Sequence, residues 1–389
     1  MAIYHQEGIL ISRIPEEDLH DLIHTSSGPA VSIFLPTQRI GIHFKKDQIR
    51  LKNLLTQTEK ELSNLGYRSL EISKILKPAW DLHQNSLFWS HQGEGLVIYI
   101  APDVFHYYRL PFSVKEFVSV GKRFYIKPLL VLLAHDWKFY LLTLSQKGAN
   151  LFQGSPYHLE KIESILLPQG IGDTAQEEPR SHLSFHSLGQ GGKAMFYGHG
   201  GLNEDLKGRI IQYFQKIDKS VNDFLKDDHS PLILAGVEYF FPMYQKVNNY
   251  PRLLENMVHG NPDRMNPKRL HDEAWSIISL HFEHEKDQDL ESYRKLSGTG
   301  RTSNDIAEIV KAARQGKVNI LFVSSNQKIW GRLNEDTNEV LIRQDDPEPE
   351  DTDLLDLTAS LVFKHKQKIH VLESREMPDA HSLSAILHY

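Results

Sequence analysis

The chain has 389 residues, 40% of them hydrophobic and 24% charged, and its 44 Lys and Arg stand against 50 Asp and Glu for a net charge of −6. Those globular proportions at this length predict two to three domains with sizeable cores, and the acidic balance excludes a polycation that coats nucleic acid indiscriminately, so any RNA contact must be local. The absence of cysteine excludes disulfides, zinc–thiolate sites and cysteine nucleophiles. No apolar run approaches the roughly 20 residues that span a bilayer, and the N-terminus gains acids early without a basic region followed by an apolar core, so neither membrane insertion nor secretion is expected. A cytoplasmic location fits both.

Residues 1 to about 120 read as an α/β unit. Pro15 to Thr25 suits a short helix with acids in its first turn, and Val31 to Leu35 suits a buried strand. From Asp47 to Leu65 the apolar set Leu51, Leu54, Leu55, Leu62 and Leu65 has helical spacing, with Lys52, Glu59, Lys60 and Glu61 on the facing side. Arg39, Lys45, Lys46 and Arg50 make the clearest local basic cluster. Such a cluster is commonly a solvated face, and it is also what a phosphate-contacting surface needs. Leu96 to Ile100 and Val104 to Leu110 are strand-like runs around an Ala-Pro-Asp turn.

From Tyr125 the runs Pro128 to Leu133, Lys138 to Leu144 and Ala149 to Phe152 predict a β-meander, followed by a polar surface loop over 169–180. Ser181 to Gly201, SHLSFHSLGQGGKAMFYGHGG, is dense in glycine, and its apolar flanks predict a projecting loop at Gly189-Gln190-Gly191-Gly192. A long hairpin tip is the plain reading of that loop. Beyond it Asn203 is the expected N-cap of a helix carrying Leu206, Ile210, Tyr213, Phe214, Ile217, Val221, Phe224 and Leu225. A strand at 232–235 and a helix from about Pro267 to Leu296 complete a middle domain.

The last segment starts near Gly298. Ser303 is expected to cap a helix carrying Ile306, Ile309, Val310 and Ala313, which Gly316 ends. Strands at 318–323 and 340–342, an acidic proline-interrupted loop over 345–353, a helix over 354–363 and a strand over 369–372 make a compact α/β sandwich.

Ser187 to Ala194 superficially follows a phosphate-binding loop, but the first glycine is Ser187, the Mg²⁺-binding hydroxyl position is Ala194, and a strand is expected next where a helix N-terminus is needed. His20 and His24 share the spacing of a zinc-binding helix, with Asp21 in place of the general-base glutamate and no third ligand. His281 and His284 beside Glu283 and Glu285 read as charged helix surface, and His182 and His186 share one side of a strand next to the glycine-rich loop. No metal, cofactor or hydrolase nucleophile is assigned. The aromatic runs 105–108 and 239–241 offer base stacking, with core packing as the default.

Several stretches in succession resemble one family. The strand repeats over 127–144, Phe196-Tyr-Gly-His-Gly-Gly201 before a long helix, Pro231-Leu-Ile-Leu-Ala-Gly-Val-Glu238, Tyr250-Pro251 and Gly260-Asn-Pro262, with Gly316-Lys-Val, Leu354 to Val362 and Ala385 to Tyr389, are similar to bacterial relatives of the archaeal and eukaryotic class-one release factors and of Pelota. The resemblance implies a three-domain α/β chain: an α/β N-terminal domain over 1–123, an RNase H-like middle domain over 124–298 whose loop enters the peptidyl-transferase centre, and a kink-turn-binder-like α/β/α C-terminal domain over 299–389. It further implies the ribosome as partner, with elongation factor Tu or another translational GTPase, and a stress-related hibernation or rescue role in the A site. Release factors of the family place Gly-Gly-Gln at the loop tip, where the glutamine positions the attacking water. Here Gln190 precedes the pair Gly191-Gly192, so binding through Gly189, Gln190, Gly191, Gly192, Lys193 and His186, with Arg39, Lys45, Lys46 and Arg50 at the decoding region, is favoured over hydrolysis. Peptidyl-tRNA hydrolysis by Gln190 is the alternative, with RNA processing on the same fold and a protein-interaction scaffold further off.

Overall fold

The structure is a computed structural model that describes residues 18, 22–23, 28–38, 44–133, 137–168, 170–171, 200–334, 336–345, 348 and 350–388. The chain divides into two compact units, one built from 1–136 together with 286–389 and the other from 137–285.

In the first unit, β1 (Ala30–Pro36) is followed by helices α1 (Phe44–Asn64), α2 (Ser69–Gln84) and α3 (Ser86–Ser90), then β2 (Gly95–Ala101), β3 (Val104–Leu110) and β4 (Phe117–Gly121). The strands form an antiparallel sheet in the order β3-β2-β1-β4. Apart from the buried Ser32, whose Oγ accepts from Tyr125 N at 2.9 Å, β1 and β2 carry no charged or small polar side chain, because both faces are covered. Val31, Ile33, Leu35, Leu96, Ile98 and Ile100 meet Leu51, Leu55 and Leu62 of α1 and Leu76 of α2. The alternate residues Phe34, Val97 and Tyr99 join Phe124, Tyr125 and Ile126 in a core that also takes in Ile309, Leu321, Leu355 and Ile369 from the end of the chain. A strand's period of two thus puts one set against its own helices and the other against the C-terminal segment. Leu65, expected on the buried stripe of α1, lies one residue past the helix end and is 37% exposed.

Residues 128–133, expected as a strand, lie in the helix α4 (Lys127–Leu133). The reason is tertiary: the buried carboxylate of Asp356 accepts hydrogen bonds from the backbone N–H of Ile126 and Lys127, at 2.8 Å and 2.5 Å, satisfying donors that a strand would have spent on a ladder. The meander therefore begins at β5 (Phe139–Leu144), in the second unit.

There, β5, β6 (Ala149–Gly154) and β7 (Leu159–Lys161) pair antiparallel, while β8 (Leu232–Gly236) and β9 (Leu253–His259) add parallel, giving the order β7-β6-β5-β8-β9. Helix α5 (Gly200–Phe224) buries Ile210, Tyr213, Phe214, Ile217 and Val221 against Leu142, Leu144 and Leu234. The short helix α6 (Phe240–Gln245) closes that core through Phe240 and Tyr244. Helix α7 (Pro267–Leu296) covers the opposite face with Leu270, Ala274 and Ile278. α5 starts at Gly200 and not at the expected cap Asn203, which falls inside the first turn.

The end of the chain, in the first unit, carries β10 (Thr302–Ser303), α8 (Ile306–Arg314), β11 (Val318–Ser324), β12 (Trp330–Leu333), β13 (Val340–Ile342), β14 (Thr352–Asp353), α9 (Leu354–Lys364), β15 (Lys368–Leu372) and β16 (Leu383–Leu387). One sheet runs β10-β16-β11-β15 and a smaller one β13-β12-β14. Asp305 caps α8, its carboxylate accepting from Glu308 N at 2.7 Å, whereas the expected cap Ser303 sits two residues earlier, its Oγ accepting from Asp305 N. Gly316 ends the helix in the left-handed region at φ 69°, as its position predicted.

Candidate functional site

The first two turns of α1 carry Lys45, Lys46 and Arg50 of the basic cluster. Asp47 is 1% exposed, accepts from the backbone N–H of Gln38 at 3.1 Å and takes Arg50 Nη1 at 2.9 Å. Arg50 Nε also meets Glu116 Oε1 at 2.9 Å, so this guanidinium is spent on tying the helix to the sheet edge. Lys45 and Lys46 are exposed. Cations in a helix's first turn oppose its dipole and contribute nothing to its stability, which leaves these two side chains free for a surface role. Arg39 lies outside the described residues.

The glycine-rich segment belongs to the second unit by sequence, between Ile171 and the start of α5. His182, His186, Gly189, Gln190, Gly191, Gly192 and Lys193 lie outside the described residues, as do His20 and His24. What the structure defines is the frame at either end. Ile171 N donates to Gln146 O at 3.3 Å in the β5–β6 turn, and Gly170, at φ 138°, approaches the turn's carbonyls so closely that a Cβ would lie 3.0 Å from Gln146 O. Ser145 holds that turn, its Oγ accepting from Lys147 N and Gly148 N at 3.1 Å and 3.2 Å. Tyr213 of α5 donates to Ser145 O at 3.4 Å. Gly200 lies 13 residues before Tyr213, about 20 Å along a helix at roughly 1.5 Å per residue. The segment is thus joined to a rigid turn at one end and a long packed helix at the other.

The aromatic runs are mostly structural. Tyr108 is 2% exposed and donates to Asp18 at 2.9 Å, and Tyr107 packs edge-on against Phe88. Phe240 is buried, whereas Tyr239 is half exposed. His281 Nε2 lies 3.6 Å from Glu285 Oε1 along α7, and among the described residues no group of three His, Asp or Glu converges as a metal site.

A polar groove was not anticipated. Asp218 of α5, 3% exposed, accepts from Asn222 Nδ2 at 2.9 Å, Asn249 N at 3.2 Å and Asn249 Nδ2 at 2.7 Å. Together with Gln215 and Lys219 these residues line a hollow of about 290 Å³, and the neighbouring stretch from Pro242 to Glu255 lines a wider one of about 710 Å³. Burial and the charge of Asp218 push the Tyr244 hydroxyl well above its ordinary pKa, so it stays protonated. Asp218 was legible only as an acid within the otherwise apolar stripe 214/217/221. Elsewhere in the second unit Asp228 gathers Lys138, Tyr140 Oη at 2.9 Å and Ser230 Oγ at 2.6 Å. Burial alone would raise its pKa, but these donors outweigh it and hold the carboxyl at about 2. Amides and charges held this way suit polar recognition. They supply no nucleophile with an adjacent base.

Residues 139–279, which contain the β7-β6-β5-β8-β9 sheet, the groove and the glycine-rich segment, match the family model of bacterial archaeo-eukaryotic release factor family 7. No curated protein sequence matches the chain. Among solved structures, an archaeal translation termination factor is 13% identical over 97% of this chain and 99% of its own, with a TM-score of 0.25. Pelota from Archaeoglobus fulgidus is 13% identical over 76% of this chain and 79% of its own, with a TM-score of 0.28. A model of ribosome-bound archaeal Pelota with ABCE1 gives 12% identity over 100% of this chain and 99% of the other, with a TM-score of 0.41. Over residues 139–279 the chain is similar to the bacterial archaeo-eukaryotic release factors, the family that its motifs resemble.

Proposed function

We propose that this protein is a ribosome-binding translation factor of the release factor and Pelota type, which occupies the A site as a hibernation or rescue factor without releasing the peptide. The observation that carries the reading is the release-factor match over 139–279, because it spans the whole glycine-rich segment. The order β7-β6-β5-β8-β9, three antiparallel strands followed by two parallel ones, supports an RNase H-like middle domain. In this reading Gly189, Gln190, Gly191, Gly192, Lys193 and His186 contact ribosomal RNA near the peptidyl-transferase centre. Lys45 and Lys46, with Arg39, contact it near the decoding region, and a translational GTPase such as elongation factor Tu meets the C-terminal part in the cytoplasm.

Binding is favoured over hydrolysis because Gln190 stands before the glycine pair and not after it. A displacement of a catalytic group by 1 Å costs about 100-fold, and a one-sided shift in loop order moves the side chain further than that. Glycine backbone and Lys193 contact phosphates in either order.

The test is co-sedimentation of the purified protein with vacant bacterial ribosomes and with ribosomes holding peptidyl-tRNA, scoring freed peptide in the same tubes. Binding without release is the expected result, unchanged by Gln190→Ala. Release that collapses in Gln190→Ala makes the protein a hydrolase, and absence of binding to either ribosome removes the translational role.

A further inference from the structure

Among the described residues β13 is an edge strand, paired on one side only, to β12. Arg343 N donates to Trp330 O at 2.8 Å and Asn334 N to Glu339 O at 2.9 Å. With Arg332 opposite Leu341, these bonds make 339, 341 and 343 the positions that face β12. In an antiparallel ladder the positions alternate, so the N–H and C=O of Val340 and Ile342 point to the open edge. Val340 packs its side chain with Val310 and Leu333, while Leu341 is 52% exposed and Ile342 39% exposed. Proteins blunt such an edge by keeping it short or with charge, proline or a bulge. β13 is short, three residues, but Val340-Leu341-Ile342 carries no charge or proline and pairs with β12 in unbroken register.

The flanks decide what fits. Residues 334–353 contain nine acidic side chains and one basic one. Glu348, Glu350 and Asp351 are drawn in by Arg332 and Arg343, and Asp353 by Lys127. Asp336, Glu339 and Asp345 are exposed and have no ion pair among the described residues. Two copies of this edge would bring like charges together, which opposes self-pairing. We infer that the β13 edge accepts a lysine- or arginine-rich segment of a partner protein as an added strand. Backbone bonds form at Val340 and Ile342, apolar side chains of the segment lie beside Val340 and Ile342 on one face of the sheet, and its cations lie on the other face, by Glu339 and within reach of Asp336 and Asp345. Strand addition at this edge involves β13 and its flanks alone, and its test uses no ribosome.

The test is fluorescence anisotropy of the full chain with a short labelled peptide of alternating lysine and valine, beside the same peptide interrupted by proline and one with glutamate in place of lysine. The alternating peptide should bind, more weakly at higher salt, and the other two should not. Ile342→Pro removes an outward N–H without touching the ladder to β12 and should weaken binding at least about tenfold. Asp336→Lys/Asp345→Lys, at exposed positions that leave the fold intact, should do the same. Equal binding of the proline-interrupted peptide, or no loss in the Asp336→Lys/Asp345→Lys chain, overturns strand addition by a basic segment. A dimer in sedimentation that Ile342→Pro dissolves also overturns it, by making a second copy the occupant.

Discussion

Lys127→Met tests what holds the two sequence-distant halves of the first unit together. Lys127 is 1% exposed, and its ammonium meets Asp353 Oδ2 at 3.0 Å and Gln327 O at 2.5 Å, joining the start of α4 to the start of α9, 226 positions away. Removing one member of a buried ion pair costs about 3–5 kcal/mol, because the surviving charge stays buried. Asp353 keeps hydrogen bonds from Leu355 N at 3.0 Å and Ile329 N at 3.2 Å, which places the loss near the lower end, about 3 kcal/mol. For a unit of this size that lowers the melting temperature by roughly 6–12 °C. Urea and thermal unfolding of the full chain measure it, and Lys127→Met/Asp353→Asn should cost less than the two single changes added together. A loss below about 1 kcal/mol, the range of exposed pairs, would refute the idea that this bridge is dry and joins the halves.

Asp356, beside it, is raised to about 7 by burial and by the charge of Asp353, against the pull of Lys127 and of its two backbone donors. The folded chain therefore holds a proton that the unfolded chain has lost above the ordinary 3.8. The stability this group provides is complete below that value and is lost as pH rises through about 7, so Asp356→Asn should flatten the fall in urea midpoint across this window. Asp228 works in the opposite sense: with its pKa held at about 2 its contribution is present above 3.8 and lost as pH falls through about 2, and Asp228→Asn should weaken acid resistance of the second unit. Gly154→Ala should destabilise by about 1–3 kcal/mol, since the new Cβ would lie 2.2 Å from the ring of the fully buried Phe139, and calorimetry would read the loss. Lys45→Glu/Lys46→Glu should not lower the melting temperature, since acids suit the first turn of α1, and should reduce the salt slope of ribosome co-sedimentation by about 0.7–0.9 log units for each phosphate no longer neutralised; an unchanged slope removes these lysines from the interface.

The α/β alternation, the buried strands β1, β5, β8 and β11, the stripe of α5 and the full extent of α7 were legible from periodicity and punctuation, because each is a local response of side chains to a single buried face. The glycine-rich segment and its misplaced glutamine were visible as bare sequence. Tertiary structure decided the rest. Leu129 and Leu130 suit a strand as well as a helix, and only the Asp356 carboxylate, 230 positions from Ile126, turned the run into α4 by taking its backbone donors. Asp218 is an acid beside the apolar stripe of α5, and only the fold brings Asn249 from a distant turn to hold it. Arg50 reads as one member of a basic cluster, and only the fold brings its guanidinium to Glu116 as well as to Asp47. Sequence determines which faces are apolar, since burying area is favourable whatever covers it. Which charge meets which depends on the few ångströms over which hydrogen bonds and ion pairs act, and those distances exist only after the chain has closed on itself.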